Sequence, residues 1–110
     1  MADDVIEPEK REEAILAHAI TATTDRLREM LLRKNRQYGA SAFKAPPLMP
    51  DLPIESAILV RMGDKIERLL SLAKNGVLET DDERREDTML DLAGYIVLYL
   101  AYGANKGDLV

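Results

Sequence analysis

The chain is 110 residues long, which suits a single domain. Its formal net charge of -5 argues against a nucleic-acid polymer as partner, because phosphate backbones are bound by clustered Lys and Arg, but it does not exclude a single nucleotide. Because the chain has no cysteine and a single histidine, His18, it excludes disulfides, thiolate metal sites and multi-histidine metal sites.

The composition and the N-terminal sequence predict a globular intracellular protein. Hydrophobic residues make up 46% of the chain and charged residues 32%, a balance typical of folded proteins. The acidic N-terminus lacks the basic and apolar regions of a secretion signal, and we expect no membrane partner. We therefore expect a cytoplasmic protein with a flexible tail over 1–8, one domain over 9–103 and a second flexible tail over 104–110.

Helical periodicity predicts an all-α fold, a small bundle of three principal helices. The first helix is predicted over 9–38, with Pro8 in its first turn and Gly39 as its C-terminal cap. The second is predicted over 54–75 and ends at an Asn-Gly stop signal. The core stripe predicted for the second helix is Ile58, Met62, Ile66, Leu69, Leu70 and Leu72.

The third helix is predicted over 81–103, because Thr80 and Glu83 match a capping box. Its segment 93–102 is apolar nearly all round, and a helix of that kind has to be buried on every side. Three helices of one chain can hardly do this. We therefore expect a homo-oligomer, a dimer or higher, with this segment in the subunit interface.

Four acidic residues are the candidate metal ligands. Asp64 and Glu67, and likewise Asp87 and Asp91, stand three or four residues apart, so each pair projects from one face of its own helix. If the two faces meet, oxygen-only ligation favours Mg²⁺, Mn²⁺ or Ca²⁺ over zinc or copper. The alternative is that these residues are solvated partners of nearby Lys and Arg, as most acidic residues in helices are.

A basic helix end and a proline-rich loop are the candidate ligand contacts. Lys34 and Tyr38 close the first helix, where a positive charge suits phosphate and an aromatic ring suits a base. The loop 40–53 carries four of the five prolines and also Phe43 and Lys44, its expected ligand contacts. The structural alternative is that Phe43 plugs the end of the bundle.

Three short blocks cover most of residues 30–100 in a specific order and spacing. They are Lys34-Asn-x-x-Tyr38-Gly39, Arg61-Met-x-Asp64-Lys65-Ile-x-Arg68-Leu and Asp87-Thr-x-Leu-Asp91-Leu-Ala-x-Tyr95. In this combination the chain resembles the nucleotide modification associated domain 1 family, found largely in phages and prophages. The resemblance implies a nucleotide-linked role, and a phage-encoded member would act in the host cytoplasm.

A more distant similarity is to the all-α nucleoside triphosphate pyrophosphatases of the MazG and dimeric dUTPase kind, which hold Mg²⁺ with an ExxE pair and a later ExxD pair. Asp64 and Glu67 match the first spacing, although the extra glutamate that commonly accompanies it is missing. The second pair departs from the pattern, since Thr88 stands three residues before Asp91 and the acid is Asp87. A pair four residues apart still shares a helix face.

These similarities imply a Mg²⁺-dependent (deoxy)nucleotide pyrophosphohydrolase. The four acids would be its metal-binding and catalytic residues, acting on bound Mg²⁺ or Mn²⁺. The residues implied to bind the nucleotide are Lys34, Lys65 and Arg68 at the phosphates, and Tyr38, Phe43 and Tyr95 at the base. One alternative is a non-catalytic binding protein that sequesters a host nucleotide or signalling molecule, an anti-defence role. Another is a small helical oligomer that acts only through protein contacts.

Overall fold

A computed structural model of the chain describes residues 7–76 and 82–108, the last segment beginning with the backbone of Asp82. The described residues are helical, with no strand among them. The elements are α1 (Pro8–Tyr38), a single 3₁₀ turn (Ser41–Phe43), α2 (Ile54–Lys74) and α3 (Asp82–Ala104). The predicted all-α class is thereby confirmed, and each described helix end lies within one residue of its prediction.

The ends of α1 and α2 follow from the sequence signals that predicted them. Pro8 stands in the first turn of α1, and Gly39 ends the helix in the left-handed conformation (φ 57°), its N–H donating to the carbonyl of Asn35 at 3.0 Å. Asn75 caps α2, and Gly76 also has a positive φ of 71°. The predicted cap Thr80 lies outside the described residues.

The pair α2 and α3 is antiparallel and forms the centre of the molecule. Lys65 contacts Asp91 near the middle of the pair, while Lys106 after the end of α3 reaches Glu55 at the start of α2 at 2.9 Å. The hydrogen bond to Glu55, and then the charge of that carboxylate, raise the pKa of Lys106. Residue numbers therefore rise along α2 as they fall along α3.

The α2–α3 seam holds the small core. The described residues include three buried hydrophobic side chains, Ala57, Ile58 and Tyr102, and one buried polar side chain, Thr88. Thr88 is satisfied within its own helix, since its hydroxyl donates to the carbonyl of Arg84 at 2.7 Å. Ile66 and Leu70, predicted as core, are instead 45% and 65% exposed, so that part of the predicted core stripe is wrong.

Helix α1 crosses α3 near its own C-terminus and extends far beyond it. At the crossing, a Cβ on Gly94 would stand 3.1 Å from Cδ2 of Leu31, so the glycine permits the close approach of the helices. Residues 7–26 are all exposed, and we call residues 8–26 of α1 the arm. Within it the hydroxyls of Thr21 and Thr24 donate to the carbonyls of Ala17 and Ile20.

The molecule is consequently extended. Its radius of gyration is 18.6 Å, against about 13 Å for a compact domain of this length, and its principal extents are 66 × 41 × 21 Å. No helix in the described part of the chain is long and apolar enough to cross a membrane.

Candidate functional site

A pocket of about 260 Å³ lies where the C-terminal end of α1 meets the 3₁₀ turn and the middle of α3. Its volume is just below the common range of small-molecule sites, about 300–1,000 Å³. It is lined by apolar, aromatic and charged side chains from all three helices. The lining residues that carry chemistry are Lys34, Asn35, Tyr38, Phe43, Arg61, Asp91 and Tyr95.

The wall of the pocket is made by an abrupt reversal of the chain after α1. Gly39 and Ala40 both have positive φ, 57° and 60°, and the 3₁₀ turn Ser41–Phe43 follows at once. Glycine adopts this conformation freely, but for Ala40 it is strained by about 1–2 kcal/mol. Strain of this kind is held in place by surrounding structure and clusters at ligand sites.

The charges of the pocket are arranged around Asp91, which faces two lysines from different helices. Nζ of Lys34 in α1 lies 3.6 Å from Oδ1 of Asp91, and Nζ of Lys65 in α2 lies 3.4 Å from Oδ2. The Asp91 side chain is 33% exposed, Lys65 24% and Lys34 48%. The Asp91 carboxylate of α3 therefore contacts both α1 and α2 at the pocket.

Positive charge is in excess at this point. Among the lining residues Lys34 and Arg61 are cations and Asp91 is the one acid, and Lys65 adds a positive charge through its contact with Asp91. The chain as a whole carries a formal charge of -5. A locally cationic pocket on an acidic protein attracts anionic small molecules while the rest of the surface repels large polyanions.

Arg61 is the lining cation that sequence reasoning did not assign to the site. A signal for it was present, because Arg61 precedes Lys65 by four residues and the two share a face of α2. The half-buried Arg61 reaches the pocket from the same side of α2 as Lys65.

Aromatic rings supply the other half of the lining. Tyr38 is 58% exposed at the mouth, and Tyr95 and Phe43 lie further in at intermediate exposure. Phe43 also packs on Tyr102, with ring centroids 5.5 Å apart at an interplanar angle of 39°. Phe43 therefore lines the pocket and also packs on α3 at one end of the α2–α3 pair.

The structure brings together only part of the predicted site. Of the predicted ligand-binding residues, Lys34, Tyr38, Phe43 and Tyr95 line the pocket and Lys65 reaches it through Asp91, whereas Arg68 is exposed and does not line it.

The four predicted metal ligands are not assembled in the same way. Asp64, Glu67 and Asp87 are exposed, and Asp91 is engaged with two lysines. Within 7–76 and 82–108, no three acidic or histidine side chains are grouped so that they could hold an ion. The arrangement therefore does not fit the donor set that Mg²⁺ or Mn²⁺ prefers, and the metal site stays a prediction.

Comparison with known proteins adds no relative: no family model, curated protein or solved structure matches the chain. The similarity to the nucleotide modification associated domain 1 family therefore also stays a prediction.

Proposed function

We propose that this protein binds a phosphate-bearing small molecule with a planar ring, a nucleotide or nucleotide-derived signal, in the pocket between α1 and α3, and acts by holding it. The observation that carries the proposal is the cationic cluster of Lys34, Arg61 and Lys65, at a pocket whose one acidic lining residue is Asp91 and whose other lining includes aromatic rings.

The pocket is matched to the two ends of such a ligand. An anionic phosphate takes the place of the Asp91 carboxylate at Lys34, where the contact of 3.6 Å is long for a charge-assisted hydrogen bond, about 2.7–2.9 Å at its best. The rings of Tyr38 and Tyr95 then offer faces for a base, and stacking of this kind contributes about 1–3 kcal/mol per base.

Binding is better supported than hydrolysis by the positions of the carboxylates. A two-metal hydrolytic site needs several carboxylates around its ions, whereas Asp91 has lysine partners and the exposed Asp64 and Glu67 do not line the pocket. Of the two nucleotide-linked alternatives, we therefore propose the non-catalytic binding protein. Its simplest mode of action is to sequester its ligand.

The test is a panel of nucleotides and cyclic nucleotides, each added to the pure protein with and without Mg²⁺. We expect one or more of them to raise the thermal midpoint in the absence of Mg²⁺, because a ligand that binds only the folded state stabilises it by RT ln(1 + [L]/Kd). Chromatography of the same mixtures should return the ligand unchanged. Release of pyrophosphate or a monophosphate only with Mg²⁺ would instead favour the pyrophosphohydrolase.

The matched variants are Lys34→Ala and Lys10→Ala, both lysines of α1. Lys34 lines the pocket, while Lys10 lies in the exposed arm. Losing a charged contact to phosphate should weaken binding about tenfold or more in Lys34→Ala. Lys10→Ala should bind as the wild type does. Equal affinities in the two variants would overturn the assignment of the pocket.

A further inference from the structure

A second apolar row runs along each helix of the α2–α3 pair, beside the row that forms their seam. These side chains are large, hydrophobic and 42–65% exposed. They are Leu59, Ile66 and Leu70 on α2, and Met89, Ile96 and Leu100 on α3. We call these six residues the apolar surface.

Each row of the apolar surface lies one residue after a row of less exposed positions, of which the first on each helix is buried. The fully buried Ile58 is followed by Leu59, and the buried Thr88 by Met89. One residue rotates an α-helix by about 100°. Each helix therefore presents two apolar faces about a quarter-turn apart.

The two exposed rows lie on the same side of the pair. Because α2 and α3 are antiparallel, a rotation of one residue is clockwise on one helix and anticlockwise on the other when both are viewed from one end. The less exposed faces of α2 and α3 point towards each other, so these two opposite rotations bring both exposed rows to the same side of the pair. Gly94, which contacts Leu31 of α1, is two residues from Ile96 and so faces the other way. The apolar surface is thus opposite α1 and the pocket.

Two apolar faces about 100° apart are the pattern of a helix with two helical neighbours. In a four-helix bundle every helix packs against two others at the corners of a square. Here α2 and α3 each have one of these neighbours in each other, and within 7–76 and 82–108 the second apolar face of each helix is exposed. The rows carry no charge between their ends, since the positions that continue them are Gly63 on α2 and Ala93 on α3. At 1.5 Å per residue each uncharged row is about 16 Å long.

The surface area of the chain also calls for a partner. Its accessible surface is 8660 Å², whereas a compact monomer of 12.3 kDa exposes about 6,100 Å². The exposed arm accounts for part of this difference of about 2,500 Å². The remainder is to be compared with the roughly 800 Å² that one partner contributes to a standard interface. Together with a described core of three hydrophobic side chains, this means that much of the expected burial is not made within one chain.

We propose that the apolar surface is covered by the same surface of a second copy of this chain, in a two-fold symmetric four-helix bundle built from two α2–α3 pairs. A two-fold interface is self-complementary, and two flat apolar faces without charge meet this condition. Helix α1 and the pocket remain on the two outer sides of the dimer. The inference does not depend on what the pocket binds.

The first test is the mass of the full chain in solution at micromolar concentration, by light scattering or sedimentation equilibrium. We expect twice the 12.3 kDa of the chain. Ile96→Glu and Leu70→Glu would each bury an unpaired carboxylate in the interface and should weaken association at least about 100-fold. The matched control is Leu48→Glu, at a loop leucine that is 96% exposed and outside the surface, which should stay dimeric.

Cross-linking keeps the test decisive if a glutamate variant fails to fold. The chain has no cysteine, so Ile66→Cys, Ile96→Cys and Leu48→Cys each introduce a single thiol. A short bis-maleimide should join two copies through position 66 or 96 and not through position 48. A monomeric wild type would overturn the proposal. Cross-linking through position 48 alone would also overturn it. If Ile15→Glu in the arm dissociated the dimer while Ile96→Glu left it intact, the interface would be assigned to α1 instead.

Discussion

The two sides of the α2–α3 pair are built from the same helices but differ in chemistry. On the side of α1, Lys34 and Lys65 converge on Asp91 beside a pocket. On the opposite side, the apolar surface presents large hydrophobic residues and no charge in its rows. Helix α3 contributes to both. A short helical protein can thus separate ligand contacts from association by distributing them around one helix, and the two sides should respond differently to the same perturbation.

The largest expected effect comes from Ile58→Ala, because Ile58 is fully buried between the two sides and supports both. Truncating a buried isoleucine costs about 2–5 kcal/mol of folding free energy, part of it from the cavity that is left. Chemical unfolding should show this loss at every protein concentration. Its matched control is Ile66→Ala in the apolar surface, whose loss should be large only at concentrations where the dimer is populated. Equal, concentration-independent losses would contradict the comparison.

Asp91→Asn should change ligand binding on the pocket side of the α2–α3 pair and leave association through the apolar surface unchanged. Removing the carboxylate frees Lys34 and Lys65 for an anionic ligand, so the affinity should rise, by about three- to tenfold. The cost in stability should be no more than about 1 kcal/mol, since both ion pairs are partly exposed. Calorimetric titration and the thermal midpoint measure the two quantities, and the dimer mass should not change. If Mg²⁺ raised the thermal midpoint of the wild type but not that of Asp91→Asn, the predicted metal site would be favoured instead.

A smaller effect is expected where the chain reverses to form the pocket wall. Gly39→Ala places a side chain at φ 57° and should destabilise the fold by about 1 kcal/mol. Ala40→Gly, at φ 60°, should have the opposite sign because it relieves strain, although the added freedom of the unfolded chain offsets part of the gain. Thermal unfolding of the two variants checks these signs. If both substitutions lowered the thermal midpoint, or both raised it, they would not be acting through the backbone conformation of the reversal.

Salt should have the smallest effect and should act on one side only. Raising the ionic strength from about 0.05 to 0.5 M shortens the Debye length to well below 10 Å and should weaken ligand binding several-fold. The dimer, held by apolar contacts, should not dissociate over the same range. Parallel titrations of ligand affinity and of the dimer dissociation constant measure both. A dimer that salt disrupts would not be the one formed by the apolar surface.

The fold could be predicted from the sequence because the signals for helices are local. Pro8, Gly39 and the Asn75-Gly76 pair each determine a helix end through the backbone conformation that they favour, and the structure places those ends within one residue of the prediction. The capping prediction at Thr80 lies outside the described part of the chain.

The site was harder to predict because it depends on how helices are rotated against each other. Spacing correctly places Asp64 and Glu67 on one helix, but it carries no information on which way that face turns relative to α3. The assigned core of α2 failed for the same reason: Ile58 and Ile66 lie in two adjacent apolar rows, and a pattern of hydrophobic residues alone merges such rows into one. The spacing of Arg61 to Lys65 indicates a shared helix face, but the position of Arg61 at the pocket depends on how α1 and α3 pack beside it.

The packing of α1 on α3 also has a consequence for how the protein is made. During synthesis α1 emerges from the ribosome before α2 and α3, yet α3, the helix against which it packs, emerges last of these three. The pair α2 and α3 is joined by a short connection and can close as soon as both are released. Leu31 of α1, which packs against Gly94, therefore stays in water until α3 has emerged. The pocket, which needs the C-terminal end of α1 and the middle of α3, is completed only after α3 has emerged.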